Sequence, residues 1–282
     1  MGTPLPPDDH VHTEWSWDAD QGSMERTCAR AVELGLPSVA FTEHVDHTRW
    51  VVPSEVVSTS GRLGELLGDD GRFEAPPLDV DGYLYSIERC RAAHPSLRIV
   101  TGLEIGEPHW HPEPVGQLLA TGAFERVLGS QHSLRHEDEA WLSDLAGRHT
   151  TLVGYELVRA HLAETLELIA ADPPFEILAH VDYAVRAWPD TGEAFDPFVL
   201  EDEFRAVLSA LAASDRTLEV NTRRPLESTI VAWWREEGGR TVSFGSDAHR
   251  PDDLAARFTE TARMVESQGF RPGRHPHDRW HR

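Results

Sequence analysis

The chain has 282 residues, and its 40% apolar content is enough for the core of one large α/β domain or two small ones. Its formal net charge of −22 disfavours a nucleic-acid partner, because binding to a phosphate backbone depends on basic side chains. The sequence contains no lysine, which excludes Schiff-base chemistry, a P-loop lysine and a metal centre bridged by carbamylated lysine. A small molecule is therefore the expected partner.

Short apolar or β-branched runs alternate along the chain with longer segments of helical period, which predicts parallel β/α units. Seven strands are predicted, at residues 9–13, 38–42, 98–104, 126–130, 175–180, 217–221 and 241–245. The predicted helices cover residues 23–34, 79–93, 155–171, 197–213 and 251–266. Residues 46–78, rich in Gly, Pro and Asp, are predicted to form a long excursion after the second strand.

The first predicted strand carries two histidines, His10 and His12, in the stretch DDHVHTEWSWD. Side chains at positions i and i+2 of a strand point to the same face, so both imidazoles can reach one ion. Taken alone, such a pair is more often part of a polar turn than of a metal site. A metal site requires further ligands from other parts of the chain.

Each later strand also ends in a side chain of the type that binds metals or polar ligands. These side chains are Glu43, His44, Glu104, His132, His180, Asp182, Asn221, Asp247 and His249. The carboxyl ends of parallel strands meet at one end of a β/α barrel, so these residues are predicted to lie together. Several unpaired imidazoles and carboxylates buried in one place are costly, and bound cations are the usual way in which they are satisfied. The sequence therefore predicts a metal site.

The ordered motifs D-x-H-x-H-T, T-E-H, G-x-E, G-S-x-H, H-x-D, E-x-N and S-D-A-H resemble those of the PHP (polymerase and histidinol phosphatase) family, over about residues 8 to 266. The stretches GLEIGE and AHVDYAVRAWP are most similar to its histidinol-phosphatase branch. The resemblance implies an α/β fold, a distorted (β/α)7 TIM-like barrel of PHP type. It also implies a trinuclear site with two to three divalent transition metal ions, which are zinc, iron or manganese.

The resemblance further implies which side chains hold each ion. The first ion would be bound by His10, His12, Glu104 and Asp247. The second would be bound by Glu104, His132 and His180, so that Glu104 bridges two ions, and the third by Asp18, His44 and His249. Asp18 stands where some relatives have histidine. Glu43 replaces a common aspartate and is interpreted as a group that orients His44 or a neighbouring ligand.

Clustered divalent ions lower the pKa of bound water and neutralise phosphoryl oxygens, which favours hydrolysis of a small phosphomonoester by metal-bound hydroxide. The resemblance implies L-histidinol phosphate as the leading substrate, and hence a role in histidine biosynthesis. A phosphatase for another metabolite or nucleotide is the alternative. An exonuclease or a silent metal-binding module is less favoured, because of the acidic charge and the complete ligand set.

Three residues are predicted to bind substrate, and three to take part in catalysis. Arg186, six residues after His180, can form two charge-assisted hydrogen bonds to a phosphate, and Arg223 and Asn221 are weaker candidates. The predicted catalytic residues are Glu104, Asp247 and His249. Either Asp247 or His249, or else a metal-bound water, would protonate the leaving alkoxide.

One barrel is predicted over residues 1–270, followed by an Arg- and His-rich tail at residues 271–282 that is either flexible or docked. The N-terminal stretch MGTPLPPDD has no signal-peptide character, and no apolar run is long enough to span a bilayer. We therefore expect a cytoplasmic protein with no membrane partner; the oligomeric state is not predicted. The HWH stretch at residues 109–111 is expected to form a loop wall. Solvent-facing positions are expected for His47, His94, His136, His149 and His161.

Overall fold

A computed structural model of the protein describes residues 5–51, 66–70, 72–136, 139–142, 152–190 and 192–282. The strands in these ranges are β1 (Asp8–Val11), β2 (Ser38–Asp46), β3 (Arg49–Val51), β4 (Arg72–Glu74), β5 (Arg98–Gly106), β6 (Arg126–Ser130), β7 (Ser133–His136), β8 (Glu139–Leu142), β9 (Ile177–Leu178), β10 (Thr217–Asn221), β11 (Thr241–Gly245) and β12 (Trp280–His281). The α-helices are α1 (Met24–Leu34), α2 (Val80–Ala93), α3 (Pro112–Leu119), α4 (Tyr155–Ala170), α5 (Glu201–Ala213), α6 (Ser228–Glu236) and α7 (Phe258–Ser267). Short 3-10 helices occupy Tyr183–Ala187, Pro197–Leu200 and Pro251–Asp253.

The main sheet has the strand order β1-β2-β5-β6-β9-β10-β11-β12, and its first seven strands are parallel. Two backbone hydrogen bonds of 2.9 Å join β1 to the segment after β11, from Asp247 N–H to the His10 carbonyl and from His12 N–H to the Ala248 carbonyl. The sheet therefore curls until its first strand meets its seventh. This arrangement confirms the predicted α/β barrel of seven parallel strands.

The seven predicted strands are all present, and the predicted helices differ from the observed ones mainly at their ends. Ser23 caps the start of α1, and Gly35, with a φ of 72°, ends it. The last predicted helix is wrong at its start, because Ala255 and Arg257 have φ values of 54° and 58° and delay α7 until Phe258. Helices α3 and α6 and the strands of the second sheet were not predicted from the sequence.

The second sheet has the order β4-β3-β8-β7 and is built from the excursions that follow β2 and β6. Its centre is Trp50, which is fully buried and stacks on Phe73 with ring centroids 5.2 Å apart. The Trp50 indole N–H donates to Ser133 Oγ at 2.6 Å and so ties the two excursions together. Trp17 packs on this pair and on His44, which connects the second sheet to the carboxyl end of the barrel.

The end of the C-terminal tail is docked on the barrel. Its strand β12 pairs antiparallel with β11, and the Trp280 side chain is buried against Phe244. Cys28 and Cys90 are both buried free thiols. In the part of the chain that the structure describes, no helix has the length and apolar character needed to cross a membrane.

Candidate metal centre

The nine side chains predicted to bind metal converge at the carboxyl end of the barrel. Eight of them fall into overlapping groups whose nitrogen and oxygen atoms lie within 4.8 Å of one another: His10, His12, His44, Glu104, His132, His180, Asp247 and His249. The ninth, Asp18, contacts two of these residues, with Oδ2 lying 3.0 Å from His249 Nε2 and 3.4 Å from His44 Nε2. The fold therefore brings together residues that are up to 239 positions apart in the sequence, from His10 to His249.

Glu104 lies at the middle of this cluster and is fully buried. Its Oε1 atom is 2.8 Å from His180 Nε2 and 3.2 Å from His132 Nε2. Its Oε2 atom is 3.1 Å from His10 Nε2, 3.3 Å from His12 Nε2 and 3.2 Å from His44 Nδ1. The two oxygens thus face two different sets of imidazoles, as a carboxylate that bridges two ions does.

Asp247 lies beside the histidine pair of β1. Its Oδ1 atom is 3.5 Å from His12 Nε2, 3.6 Å from His249 Nδ1 and 3.9 Å from His10 Nε2. The Asp247 backbone has a φ of 51°, in the left-handed region. Because a non-glycine residue rarely adopts this conformation, a special requirement at this position is indicated, namely turning the carboxylate towards the cluster.

The nitrogen and oxygen atoms that meet between His10, His12 and Glu104 are arranged as ligands of a bound cation. His10 Nδ1 donates to Glu219 at 2.6 Å and His12 Nδ1 donates to Ser16 at 3.0 Å, so both rings turn their Nε2 atoms towards the cluster. These two Nε2 atoms are 3.0 Å apart and face Glu104 Oε2, a buried atom without a hydrogen bond. Ligands that share one zinc ion at about 2.0–2.2 Å lie roughly 3–3.5 Å from one another, as these atoms do.

The charges around His10, His12 and Glu104 also favour a positive charge between these residues. Burial lowers the pKa of His10, but the carboxylates of Glu104 and Glu219 outweigh it and raise this pKa well above its usual value. Burial raises the pKa of Glu104, but the imidazoles around it outweigh this effect and hold the carboxylate ionised, with a pKa well below its usual value. Burial, together with His44 and His249, lowers the pKa of His12 to about 4, so its ring stays neutral as a metal ligand must.

Glu219 orients two of the histidines, and sequence analysis did not single it out. It lies on β10, is buried, and its Oε2 atom accepts the backbone N–H of His180 at 2.7 Å. With its other oxygen on His10 Nδ1, it fixes the ring tautomer that presents Nε2 to the cluster. Gly245 on the next strand leaves the room for this carboxylate, because a Cβ atom there would overlap with Glu219 Oε1.

Glu43 acts on the ligands through Ser16. The Ser16 hydroxyl donates to Glu43 at 2.5 Å, and it accepts from His12 Nδ1 and from the backbone N–H of His44. Thr13 also donates to Glu43, from its hydroxyl at 2.6 Å and its backbone N–H at 3.0 Å. Glu43 therefore reaches His12 and His44 through Ser16, an intermediate that the sequence did not reveal.

Glu107 holds the loop that carries His132. Its Oε1 atom accepts the backbone N–H groups of His132 and Ser133 at 2.7 and 2.8 Å. Its Oε2 atom accepts from the Thr48 hydroxyl, which is also 2.9 Å from His111 Nε2. The second histidine of the HWH stretch therefore belongs to the wall beside the site. Neither His109 nor His111 falls in a metal-type group among the described residues.

Two of the three predicted substrate-binding residues border a cavity of about 300 Å³ next to the cluster, together with His180. Arg186 donates from Nη2 to Asp247 Oδ2 at 2.7 Å, and its guanidinium lies 4.4 Å from the centre of the Tyr183 ring. Asn221 is buried at the end of β10. Arg223 instead pairs with Asp253 at 3.5 Å, and it is the neighbouring Arg224 that lines the cavity.

Of the five histidines expected to face solvent, His161 is buried, and this expectation was wrong. It lies on the inner face of α4 with its ring stacked on Tyr183, 6.3 Å between centroids. Burial is also the main cause that lowers the pKa of His161, to about 3, so the ring is neutral and behaves as a core residue. His47 is exposed and His94 partly exposed, whereas His149 and the side chain of His136 lie outside the described residues.

The Glu219 contact gives a first test. We expect Glu219→Gln to weaken metal binding and lower kcat about ten- to a hundredfold, since partners of metal-bound histidines have effects of this size. A chelator competition titration followed by kinetic measurement checks both. Glu113→Gln, an exposed change of the same kind on α3, should leave both unaltered. Unchanged metal affinity in Glu219→Gln would show that His10 does not need this acceptor.

The fold and the cluster together define a β/α barrel with a candidate polynuclear metal site at its carboxyl end. Comparison with known families gives the same result, because the PHP domain matches residues 8–223, which is more than half of the chain. The chain therefore belongs to the PHP family.

Relatives across nearly the full length of the chain carry one activity in their names. The histidinol-phosphatase of Lactococcus lactis subsp. lactis (strain IL1403) is 22% identical over 273 residues, covering 93% of this chain and 91% of the relative. A probable histidinol-phosphatase of Clostridium acetobutylicum is 25% identical over 279 residues, with 94% of each chain covered.

Two solved structures have the same fold. The Lactococcus lactis histidinol phosphate phosphatase, crystallised with zinc, L-histidinol and phosphate, matches with a TM-score of 0.72 at 21% identity, over 95% of each chain. A putative histidinol phosphatase of Listeria monocytogenes matches with a TM-score of 0.65 at 17% identity, over 88% of this chain and 97% of that one.

Proposed function

We propose that this protein is a metal-dependent phosphoric monoester hydrolase whose substrate is L-histidinol phosphate. The observation that carries the proposal is Glu104, whose two oxygens face two separate sets of imidazoles at the carboxyl end of the barrel. The similar Lactococcus lactis enzyme, which was crystallised with zinc, L-histidinol and phosphate, supports the choice of substrate. The product of such a reaction would be an amino alcohol and inorganic phosphate.

We assign the metal ligands as the sequence motifs imply. The first site would use His10, His12, Glu104 and Asp247, the second Glu104, His132 and His180, and the third Asp18, His44 and His249. Mixed nitrogen and oxygen donors suit zinc, iron and manganese, and the zinc in the Lactococcus lactis structure favours zinc. When bound, divalent ions of this kind acidify water and offset the charge of a phosphoryl group.

Arg186 is well placed to hold the phosphoryl group of the substrate. Its Nη2 atom is bonded to Asp247 and its guanidinium plane rests on Tyr183, so the orientation of the fork is fixed. Its other N–H groups have no acceptor among the described residues and border the cavity beside the cluster. A guanidinium with such free donors can bind non-bridging phosphate oxygens at a defined position.

Of the two predicted candidates for the proton transfer to the leaving alkoxide, His249 is favoured over Asp247, because the effect of burial on the pKa of Asp247 is outweighed by Arg186 and the imidazoles, which hold its carboxylate ionised. His249 Nδ1 is 3.0 Å from the Asp247 carbonyl oxygen, and its Nε2 is 3.0 Å from Asp18. Both residues border the same side of the cluster as Arg186, which is bonded to Asp247. A group that donates a proton to the leaving oxygen must be within reach of it when the phosphoryl group is bound.

A substrate panel tests this proposal. We expect kcat/KM for L-histidinol phosphate to exceed that for p-nitrophenyl phosphate and phosphoserine by roughly a hundredfold, since sites that bind polar substrate groups discriminate strongly. Equal rates across the panel would indicate a phosphatase whose substrate is another phosphomonoester. Preferred hydrolysis of single-stranded DNA would indicate an exonuclease. Metal analysis of the same preparation should find two to three ions per chain. Cytoplasmic location and a small phosphorylated metabolite as partner are part of this proposal.

A further inference from the structure

The cavity beside the cluster has an inner side and an outer side of different chemistry. Its inner side is formed by His180, Arg186 and Asn221, which border the metal centre. Its outer side lies between the 3-10 helix Tyr183–Ala187 and the start of α6, and carries two carboxylates and one guanidinium together with apolar walls. These outer residues are Asp182, Glu227, Arg224, Val185, Phe195 and Ile230.

The two carboxylates of the outer side have no counter-charge in contact with them. Within the described ranges, neither Asp182 nor Glu227 forms an ion pair or accepts a hydrogen bond from another side chain. Arg186 acts on Asp182 only through longer-range attraction. Arg224 also lines the cavity but forms no ion pair with either carboxylate, so both remain available to a cationic ligand.

Asn221 provides an independent sign of a ligand. The residue is 1% exposed and lines the cavity, and its Oδ1 atom accepts the backbone N–H of Arg224 at 3.1 Å. Its Nδ2 atom is buried without any hydrogen-bond acceptor. Because buried polar groups in proteins are nearly always hydrogen-bonded, an unsatisfied donor on a residue that lines the cavity indicates that a bound molecule supplies the acceptor.

We propose that this cavity binds the alcohol part of the substrate, and that Asp182 and Glu227 recognise its primary ammonium group. The inference rests on the proposed function, which places the phosphoryl group at the cluster and Arg186. Asn221 then donates to an acceptor atom of the same alcohol, and Phe195 and Ile230 pack on its apolar or planar part. The cavity thus selects phosphomonoesters of small amino alcohols over phosphomonoesters that lack the amine.

The test uses the metal-loaded full chain and two substrates that differ only in the amine. These are L-histidinol phosphate and 3-(imidazol-4-yl)propyl phosphate, which lacks the amine. We expect Asp182→Asn and Glu227→Gln each to lower kcat/KM for the aminated substrate about ten- to a hundredfold, as loss of a charged partner does. The desamino substrate should change less than about twofold in these variants, because it makes no contact with the carboxylates. Asp190→Asn, an exposed acid in the same segment outside the cavity lining, is the matched control.

Other outcomes separate this inference from the proposed function. An equal fall for both substrates, or lost metal in Asp182→Asn, would show that Asp182 supports His180 and would overturn the inference. A wild-type protein that hydrolyses both substrates equally well would also overturn it, while the phosphatase assignment stands. Calorimetric binding of L-histidinol and of its desamino counterpart gives an answer without turnover. L-histidinol bound through Asp182 and Glu227 in a protein that hydrolyses neither phosphate would keep the inference and refute the proposed function.

Discussion

Replacing Glu104 by glutamine is expected to lower kcat at least about a hundredfold and to reduce the bound metal, because the carboxylate faces both sets of imidazoles. The substitution would keep the size of the side chain but remove the negative charge that offsets two cations. The neutral amide would also place an N–H₂ donor against imidazole nitrogens that should bind metal. Elemental analysis of purified protein and steady-state kinetics with a phosphomonoester measure both effects.

The barrel should survive this substitution, because Glu104 contributes to the cluster and not to the apolar core. Far-UV circular dichroism checks the fold independently of activity. Glu25→Gln, an exposed change at the start of α1, is the matched control and should leave metal content and kcat as they are. Full activity with unchanged metal content in Glu104→Gln would mean that the cluster is centred elsewhere.

The sequence was sufficient to predict parallel β/α units and the convergence of the side chains at their strand ends, because strand ends can be located from apolar runs. Parallel pairing then places the carboxyl ends together. The place of Asp18 in the site was implied only by the resemblance to the PHP family. His44 and Glu104, for example, are direct partners in the register between β2 and β5. The register itself could not be predicted, because it depends on how the strands are staggered in the closed sheet.

The groups that orient the ligands were harder to predict. Glu219 is the acidic residue of the E-x-N motif, but the motif does not show that its carboxylate accepts from His10 and from the backbone of His180. Ser16 is likewise an ordinary serine in a turn, and only its contacts with Glu43 and His12 reveal its part. Burial and hydrogen bonding distinguish such residues from surface ones, and both are properties of the folded chain.

Arg223 and Arg224 show a similar limit at a turn. Both follow β10, and the choice between two adjacent arginines depends on the backbone path after Asn221. The Arg224 backbone N–H is bonded to the Asn221 side chain, and the turn directs Arg224 to the cavity and Arg223 to Asp253. The second sheet was missed for another reason, since its strands have only three or four residues each and its β3–β8 pair joins Trp50 to Ala140, which are far apart in the sequence.

Arg186→Met is expected to lower kcat/KM for a phosphomonoester about ten- to a hundredfold, because a charged hydrogen bond to a charged partner contributes roughly 1.5–3 kcal/mol. The loss would be larger if the contact tightens in the transition state. Arg186→Lys should be a poor replacement, since an ammonium group offers a point charge and not a planar fork. Arg240→Met, at an exposed position, controls for the loss of one positive charge.

Metal content distinguishes the two roles that the structure gives to Arg186. Its hydrogen bond to Asp247 Oδ2 means that removal of the guanidinium frees one oxygen of a proposed metal ligand. Burial raises the pKa of Asp247, but Arg186 and the imidazoles outweigh it and hold this pKa well below its usual value, so the carboxylate stays charged in the native protein. If Arg186 binds the phosphoryl group, Arg186→Lys should retain its full metal content and lose rate, because the lysine cation can still neutralise Asp247. A Met variant that keeps wild-type kcat/KM would show that the phosphate is bound elsewhere, whereas loss of metal in both variants would identify Arg186 as a support for Asp247 alone.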